Sequence, residues 1–223
     1  MWRLNLAFVV LLSLMSFKNN TMNTKNYRML CIGDSYTIGE GMAAQERFPN
    51  QAVAMLKAYG INFEEPKIIA KTGWTTDELM AAIAEEKPTK DYDFVTLLIG
   101  VNNQYRGRSA EEYREEFKKL LNMAIEFAQR KANHVIVLSI PDWGVTPFAE
   151  GRDRKKIAEE IDLFNGINKQ ESGLRKVHYI DITPSTRKAA NDPSLVAEDK
   201  LHPSAKEYHV WAKLVADVIK AEK

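Results

Sequence analysis

Residues 27–41 read Tyr-Arg-Met-Leu-Cys-Ile-Gly-Asp-Ser-Tyr-Thr-Ile-Gly-Glu-Gly. The apolar run Met29 to Ile32 stops abruptly at Gly33-Asp34-Ser35, the pattern of a buried strand running into a tight turn. Such a turn delivers Ser35 to the carboxyl edge of a sheet, where open α/β sheets bind their ligands. The glycines that surround the serine let the backbone bend sharply and come close to a ligand.

Working outward from this stretch, strand and helix patterns alternate to the end of the chain. Pro49 opens a helix with Val53, Leu56 and Tyr59 on one face and Gly60 as its stop. Residues 61–70 read as a second strand that ends at Lys71-Thr72-Gly73-Trp74. Thr75 and Glu78 have capping-box spacing and start a helix running to about Glu86. Phe94 to Ile99 is a strand buried on both faces, and it ends at Gly100-Val101-Asn102-Asn103. Ser109 and Glu112 cap a helix with Tyr113, Phe117, Leu120, Leu121, Ala124 and Phe127 at helical spacing. Val135 to Ile140 is a fourth strand, residues 154–170 a helix, Val177 to Ile182 a fifth strand, and Ser204 to Lys220 a closing helix. The alternation predicts one α/β domain over residues 26–223. Its expected form is a three-layer α/β/α arrangement, flavodoxin-like, with about five parallel strands.

Composition narrows the function. A net charge of +1 gives no electrostatic basis for binding nucleic acid. The single cysteine, Cys31, excludes an internal disulfide and a cysteine-cluster metal site. At the N-terminus, apolar Leu4 to Phe17 follows Arg3 and precedes polar Lys18 to Asn26. Residues 1–25 therefore read as a signal-like or anchoring segment, too short for a comfortable membrane span. This predicts a protein of the cell envelope or a secreted one, with membrane association through residues 4–17 only if they stay uncleaved. A translation start at Met22 predicts a cytoplasmic protein instead.

A serine hydroxyl needs a base and an orienting group to act as a nucleophile. Asp199-Lys200-Leu201-His202, just before the last helix, offers both. In ester hydrolysis Ser35 attacks the carbonyl, His202 takes and returns the proton, and Asp199 fixes the imidazole. The backbone N–H groups of Ser35 and Gly73 and the side-chain amide of Asn102 suit an oxyanion hole. His202 must be neutral to act as base, so activity should fall on acidification.

In order, these places resemble the four blocks of the SGNH hydrolase superfamily, the GDSL-type esterases and lipases. Gly33-Asp34-Ser35 is similar to the block that holds the nucleophile. Gly73 and Gly100-Val101-Asn102-Asn103 are similar to the two blocks that build the oxyanion hole, and Asp199-x-x-His202 to the block with acid and base. The resemblance spans the chain after Tyr27. It implies hydrolysis of small-molecule, carbohydrate or lipid esters with neither cofactor nor metal. Two departures stand out: Tyr36 replaces the usual leucine after the serine, and Asn103 stands where aspartate is commoner.

Trp74, Asn103, Tyr105 and Trp143 are the candidate substrate contacts, and the loop aromatics among them, with Phe148, have an alternative role as a small local core. Arg106 and Arg108 read as solvated charges or as contacts to an anionic substrate. Asp34 reads as a turn cap, and His134, His178 and His209 as structural or surface residues. The rival functions are acyl transfer by the same site and a catalytically silent binding module. A receiver-type signalling domain is set aside, because the third strand ends in Gly100-Val101-Asn102 without an acidic acceptor.

Overall fold

The computed structural model describes residues 25–223, and the apolar N-terminal segment lies outside them. The chain runs β1 (Met29–Gly33), α1 (Ser35–Ile38), α2 (Phe48–Ala58), β2 (Lys67–Ala70), α3 (Thr76–Glu86), β3 (Phe94–Leu98) and α4 (Val101–Tyr105). It continues through α5 (Ala110–Phe127), β4 (Val135–Leu138), α6 (Arg154–Arg175), β5 (His178–Ile180), α7 (Thr183–Thr186) and α8 (Ala205–Ala221). The five strands form one sheet in the order β2-β1-β3-β4-β5, and every pairing is parallel. Helices cover both faces, as expected for parallel strands that are apolar on both sides. Every residue of β1, β3 and β4 is buried. Among the described residues, no helix is long and apolar enough to cross a membrane.

The helical stripes follow the expected periodicity with one shift. In α5 the buried set is Tyr113, Phe117, Leu120, Leu121, Ala124 and Phe127, as the spacing predicts. Its capping serine accepts the Glu112 N–H at 3.1 Å, and Glu78 accepts the Thr75 N–H at 2.8 Å ahead of α3. In α2 the buried stripe is Phe48, Ala52 and Leu56, which packs on α8 through Trp211 and Tyr208. Val53 lies at the edge of that stripe, and Tyr59 caps the helix with 65% of its surface exposed. The inward face thus starts one residue before the proline.

The second strand is shorter than residues 61–70. Only Lys67–Ala70 joins β1, in a register that begins at Leu30↔Lys67. Pro66 has no N–H for a ladder, and the preceding Glu64-Glu65 favours water over a sheet interior. Phe63 makes one isolated bridge with Tyr27, and its ring packs on Tyr27 and Phe94. The fifth strand is trimmed likewise to His178–Ile180, and the chain then turns into α7.

After β1 the chain builds β2 on one side of it and β3 on the other. The crevice at the ends of β1 and β3 is therefore the point where the winding reverses, the place where ligands bind in such sheets. Ser35 follows β1 there, and Asn102 follows β3. Gly33 is required at the exit of β1, because a Cβ would stand 2.2 Å from the Leu98 carbonyl oxygen and 2.2 Å from Thr37 Oγ1.

Candidate active site

The nucleophile candidate is presented by a single helical turn. The Asp34 carboxylate Oδ1 accepts the Tyr36 N–H at 3.0 Å and caps α1, so Ser35 is its first residue. At that position the Ser35 N–H has no partner within the helix. Burial pushes the Asp34 carboxyl up to about 7, offset in part by the hydrogen bonds it accepts from Tyr36 and its own N–H. Asp34 is thus the turn cap that its position suggested.

Across the crevice, the Asp199–His202 turn is held tightly. Asp199 Oδ1 accepts the N–H groups of Leu201 and His202, each at 2.9 Å, and Lys200 adopts φ +65° to close the turn. His202 is pinned further by its carbonyl, which accepts the Ala197 N–H at 2.7 Å. The side chains then form one line: Asp199 Oδ2 to His202 Nδ1 at 2.5 Å, and His202 Nε2 to Ser35 Oγ at 2.9 Å. Burial pushes the Asp199 carboxyl up, but the hydrogen bonds from the His202 ring and the two backbone N–H groups outweigh it and hold the group below the usual carboxylate range. With Asp199 ionised, His202 Nδ1–H donates to it, and the Nε2 lone pair accepts the Ser35 hydroxyl proton. The Tyr36 ring lies 5.2 Å from the imidazole and walls it from behind, a role that a leucine at this position would fill differently.

Gly73 sits in a four-residue turn, Lys71 to Trp74, closed by the Trp74 N–H on the Lys71 carbonyl at 3.2 Å. Its φ of +86° is the value that the third residue of a type II turn needs. In that turn the N–H of the third residue is left free, and Gly73 N–H has no acceptor among the described residues. The turn is tied to both neighbouring loops. Thr72 Oγ1 donates to the Glu40 carboxylate in the loop after Ser35, and Asn102 Nδ2 donates to the Trp74 carbonyl at 2.9 Å. Three groups that can donate to an oxyanion thus come from three linked elements, the starts of α1 and α4 and the turn between β2 and α3: the Ser35 N–H, the second N–H of the Asn102 amide and the Gly73 N–H.

Beside Ser35 is a cavity of about 140 Å³, with Val101, Tyr105, Trp143, Phe148 and Leu201 as its apolar walls. Tyr105, Trp143 and Phe148 stand with ring centres 5.3 to 6.4 Å apart. Trp143 is buried and donates its indole N–H to Gln104 Oε1 at 2.8 Å, and Gln104 donates to Glu160 at 2.7 Å. Tyr105 and Phe148 are 47% and 44% exposed and form the rim.

Two candidate substrate contacts are corrected by this geometry. Asn103 is fully buried, and its amide is consumed by Thr76: Oδ1 accepts the Thr76 N–H at 3.1 Å and Nδ2 donates to Thr76 Oγ1 at 2.6 Å. It joins α4 to the start of α3 and cannot reach a substrate. Trp74 does not line the cavity; its side chain packs on the core, and its carbonyl holds Asn102. Arg106 and Arg108 are engaged by the protein: Arg108 pairs with Asp77 at 2.7 Å, and Arg106 donates to the Gly73 carbonyl at 2.6 Å. Val101, Leu201 and Tyr36 are wall residues that were not among the candidate substrate contacts. Each is an ordinary apolar or aromatic side chain next to Asn102, His202 or Ser35. Among the described residues, no three of His, Cys, Asp and Glu gather where they could hold a metal ion.

The fold and this constellation define a serine ester hydrolase. Residues 31–210 match the family model described as the GDSL-like lipase/acylhydrolase family, and the chain belongs to that family. It is similar in fold to a lipase/acylhydrolase from Enterococcus faecalis (TM-score 0.66, 20% identity, 88% of this chain and 96% of that one). Comparable similarity is found to the acetylxylan esterase Axe2 from Geobacillus stearothermophilus (TM-score 0.68, 18% identity, 89% and 96%). A lipase from a goat rumen metagenome, Lip_vut3, gives a TM-score of 0.70 at 18% identity over 86% and 97%. Comparison with the curated proteins gives no match.

Proposed function

We propose that the protein hydrolyses esters of short, uncharged carboxylic acids through an acyl-enzyme on Ser35. The observation that carries this reading is the unbroken line from Asp199 through His202 to Ser35 Oγ, at 2.5 and 2.9 Å, beside unused N–H donors. Ser35 Oγ attacks the ester carbonyl while His202 Nε2 takes its proton. Asp199 stabilises the imidazolium that results. The negative carbonyl oxygen of the tetrahedral intermediate is met by Ser35 N–H, Gly73 N–H and Asn102 Nδ2, donors already in place before the charge develops. His202 returns the proton to the departing alcohol. Water then repeats the sequence on the acyl-enzyme and releases the acid.

The acyl group seats against Val101, Tyr105, Trp143, Phe148 and Leu201. No carboxylate, ammonium or guanidinium group lines this cavity, so a charged acyl group would lose its hydration without a partner. The alcohol portion leaves past the open rim, where a sugar or a glycerol-like group can be accommodated. Export is part of the same reading and rests on the apolar stretch Leu4 to Phe17 behind Arg3; recovery of the protein solely from the cytosol would overturn that part.

The test is turnover of nitrophenyl esters from acetyl to dodecanoyl by the full chain and by Ser35→Ala. Turnover should peak at short acyl chains and fall by about 10³-fold or more in the variant. Undiminished activity in Ser35→Ala would overturn the mechanism.

A further inference from the structure

The Lys71–Trp74 turn carries an oxyanion donor on its most permissive residue. Glycine has no side chain to lock it, and the turn's own hydrogen bond is long, at 3.2 Å. Its aim depends on what grips the residues around it. Thr72 is gripped by Glu40, and the Trp74 carbonyl by Asn102. The remaining group, the Gly73 carbonyl, is gripped by Arg106, whose Nη2 donates to it at 2.6 Å. Arg106 is itself held from both ends. Its backbone N–H donates to the Asn102 carbonyl at 3.0 Å, and its Nη1 donates to Glu78 Oε1 at 3.3 Å. Glu78 in turn is fixed by the cap of α3 through the Thr75 N–H. The planar guanidinium bridges two fixed acceptors, which suits it to set direction rather than merely to supply charge.

We propose that Arg106 is a positioning residue for the oxyanion hole, holding the Gly73–Trp74 peptide so that the Gly73 N–H and the Asn102 amide converge on one point. With Thr72 tied to Glu40 on one side and the Gly73 carbonyl tied to Arg106 on the other, the two soft dihedrals of Gly73 are fixed between them. The next peptide, Trp74–Thr75, presents the Trp74 carbonyl to Asn102, so the brace on the Gly73 carbonyl adjoins the bond that aims the second donor. The Arg106 side chain does not line the cavity beside Ser35, and its effect is felt only when charge develops on the carbonyl oxygen. This inference rests on the reading of Gly73 and Asn102 as oxyanion donors given above.

The test compares the full-length protein with Arg106→Met and Arg106→Lys on nitrophenyl acetate, with active sites counted by a fluorophosphonate label. Arg106→Met should lower kcat per labelled site about ten- to hundredfold, with KM within about twofold of the parent. A trifluoromethyl ketone, which Ser35 Oγ converts to a hemiketal oxyanion as its proton passes to His202, should lose affinity by the same factor as kcat/KM. Arg106→Lys, which keeps one donor within reach of the carbonyl, should recover part of both. A kcat per labelled site equal to the parent's, or a fall in rate explained by the labelled fraction or by KM alone, would overturn the proposal. A parent protein that neither turns over the ester nor labels at Ser35 would overturn the esterase reading itself, and this inference with it.

Discussion

Asp34 and Asp199 are carboxyls that flank the same crevice and sit in opposite electrostatic settings. Asp199 is held below the ordinary carboxylate range by the bonds it accepts, although burial works against it. Asp34 is fully buried, its Oδ2 has no partner among the described residues, and burial pushes it up to about 7. A raised carboxyl favours the folded state fully below the ordinary aspartate range and loses that contribution as pH climbs through about 7. Asp34→Asn keeps an Oδ1 acceptor for the Tyr36 N–H and has nothing to ionise. Urea denaturation at about pH 4 and about pH 8 should therefore show the variant gaining on the parent by a few kcal/mol between the two. A difference independent of pH would refute the raised Asp34 carboxyl. At this scale the sequence was most informative where chemistry dictates residue type. Singly, Ser35 also suits a turn cap and the Asp199/His202 pair a metal; only the blocks taken together point to nucleophile, acid and base, and the structure brings the three into line. Asn103 was misread, because nothing in the sequence distinguishes an amide that faces a substrate from one that faces Thr76 inside the protein.

Among elements, those with strong periodicity are the ones that matched. The six apolar positions of α5 leave a single possible face, and two capping pairs fix where α3 and α5 begin. The second strand is shorter than its apolar pattern suggests because Ile61 and Phe63 pack on the core while residues 61–66 make only the single bridge at Phe63. The segment from Pro141 to Asp153 has no periodicity at all, and what holds it lies far away in the chain. Asp142, buried, accepts from Arg187 Nε at 2.8 Å and from the Gly144 N–H at 2.9 Å, and its own N–H donates to Thr186. Those bonds pin the segment that carries Trp143 and Phe148. Arg187→Met leaves the Asp142 carboxylate buried without its cation, which should cost about 2–3 kcal/mol, less than for a wholly buried pair because Arg187 is partly exposed. Released Trp143 should broaden the range of acyl chains accepted. Thermal melting and the acyl-length profile check the two halves separately.

For the molecule as a whole, the parallel order β2-β1-β3-β4-β5 places the catalytic blocks at one edge although they are scattered over 168 positions, from Ser35 to His202. That much follows from alternation of strand and helix. The shape of the cavity beside Ser35 does not, since it depends on how the end of α4, the Pro141–Asp153 segment and the Asp199–His202 turn pack their side chains. Trp143 is its rigid wall, and Trp143→Ala should move the optimum of the nitrophenyl series to longer acyl chains; an unchanged optimum would place the acyl group elsewhere. Strand β1 has one more use. Cys31 is fully buried beside Thr96, and burial pushes its thiol up to about 12. A thiol so protonated and so enclosed does not react with disulfide reagents while the sheet is closed. Because it is the chain's only cysteine, the rate of its modification in native buffer is a stopwatch for opening of the sheet centre. It should lag far behind esterase inactivation at moderate temperature, since loosening the loops around Ser35 disarms the site before β1 leaves its neighbours. Equal rates would mean that the site and the sheet come apart together.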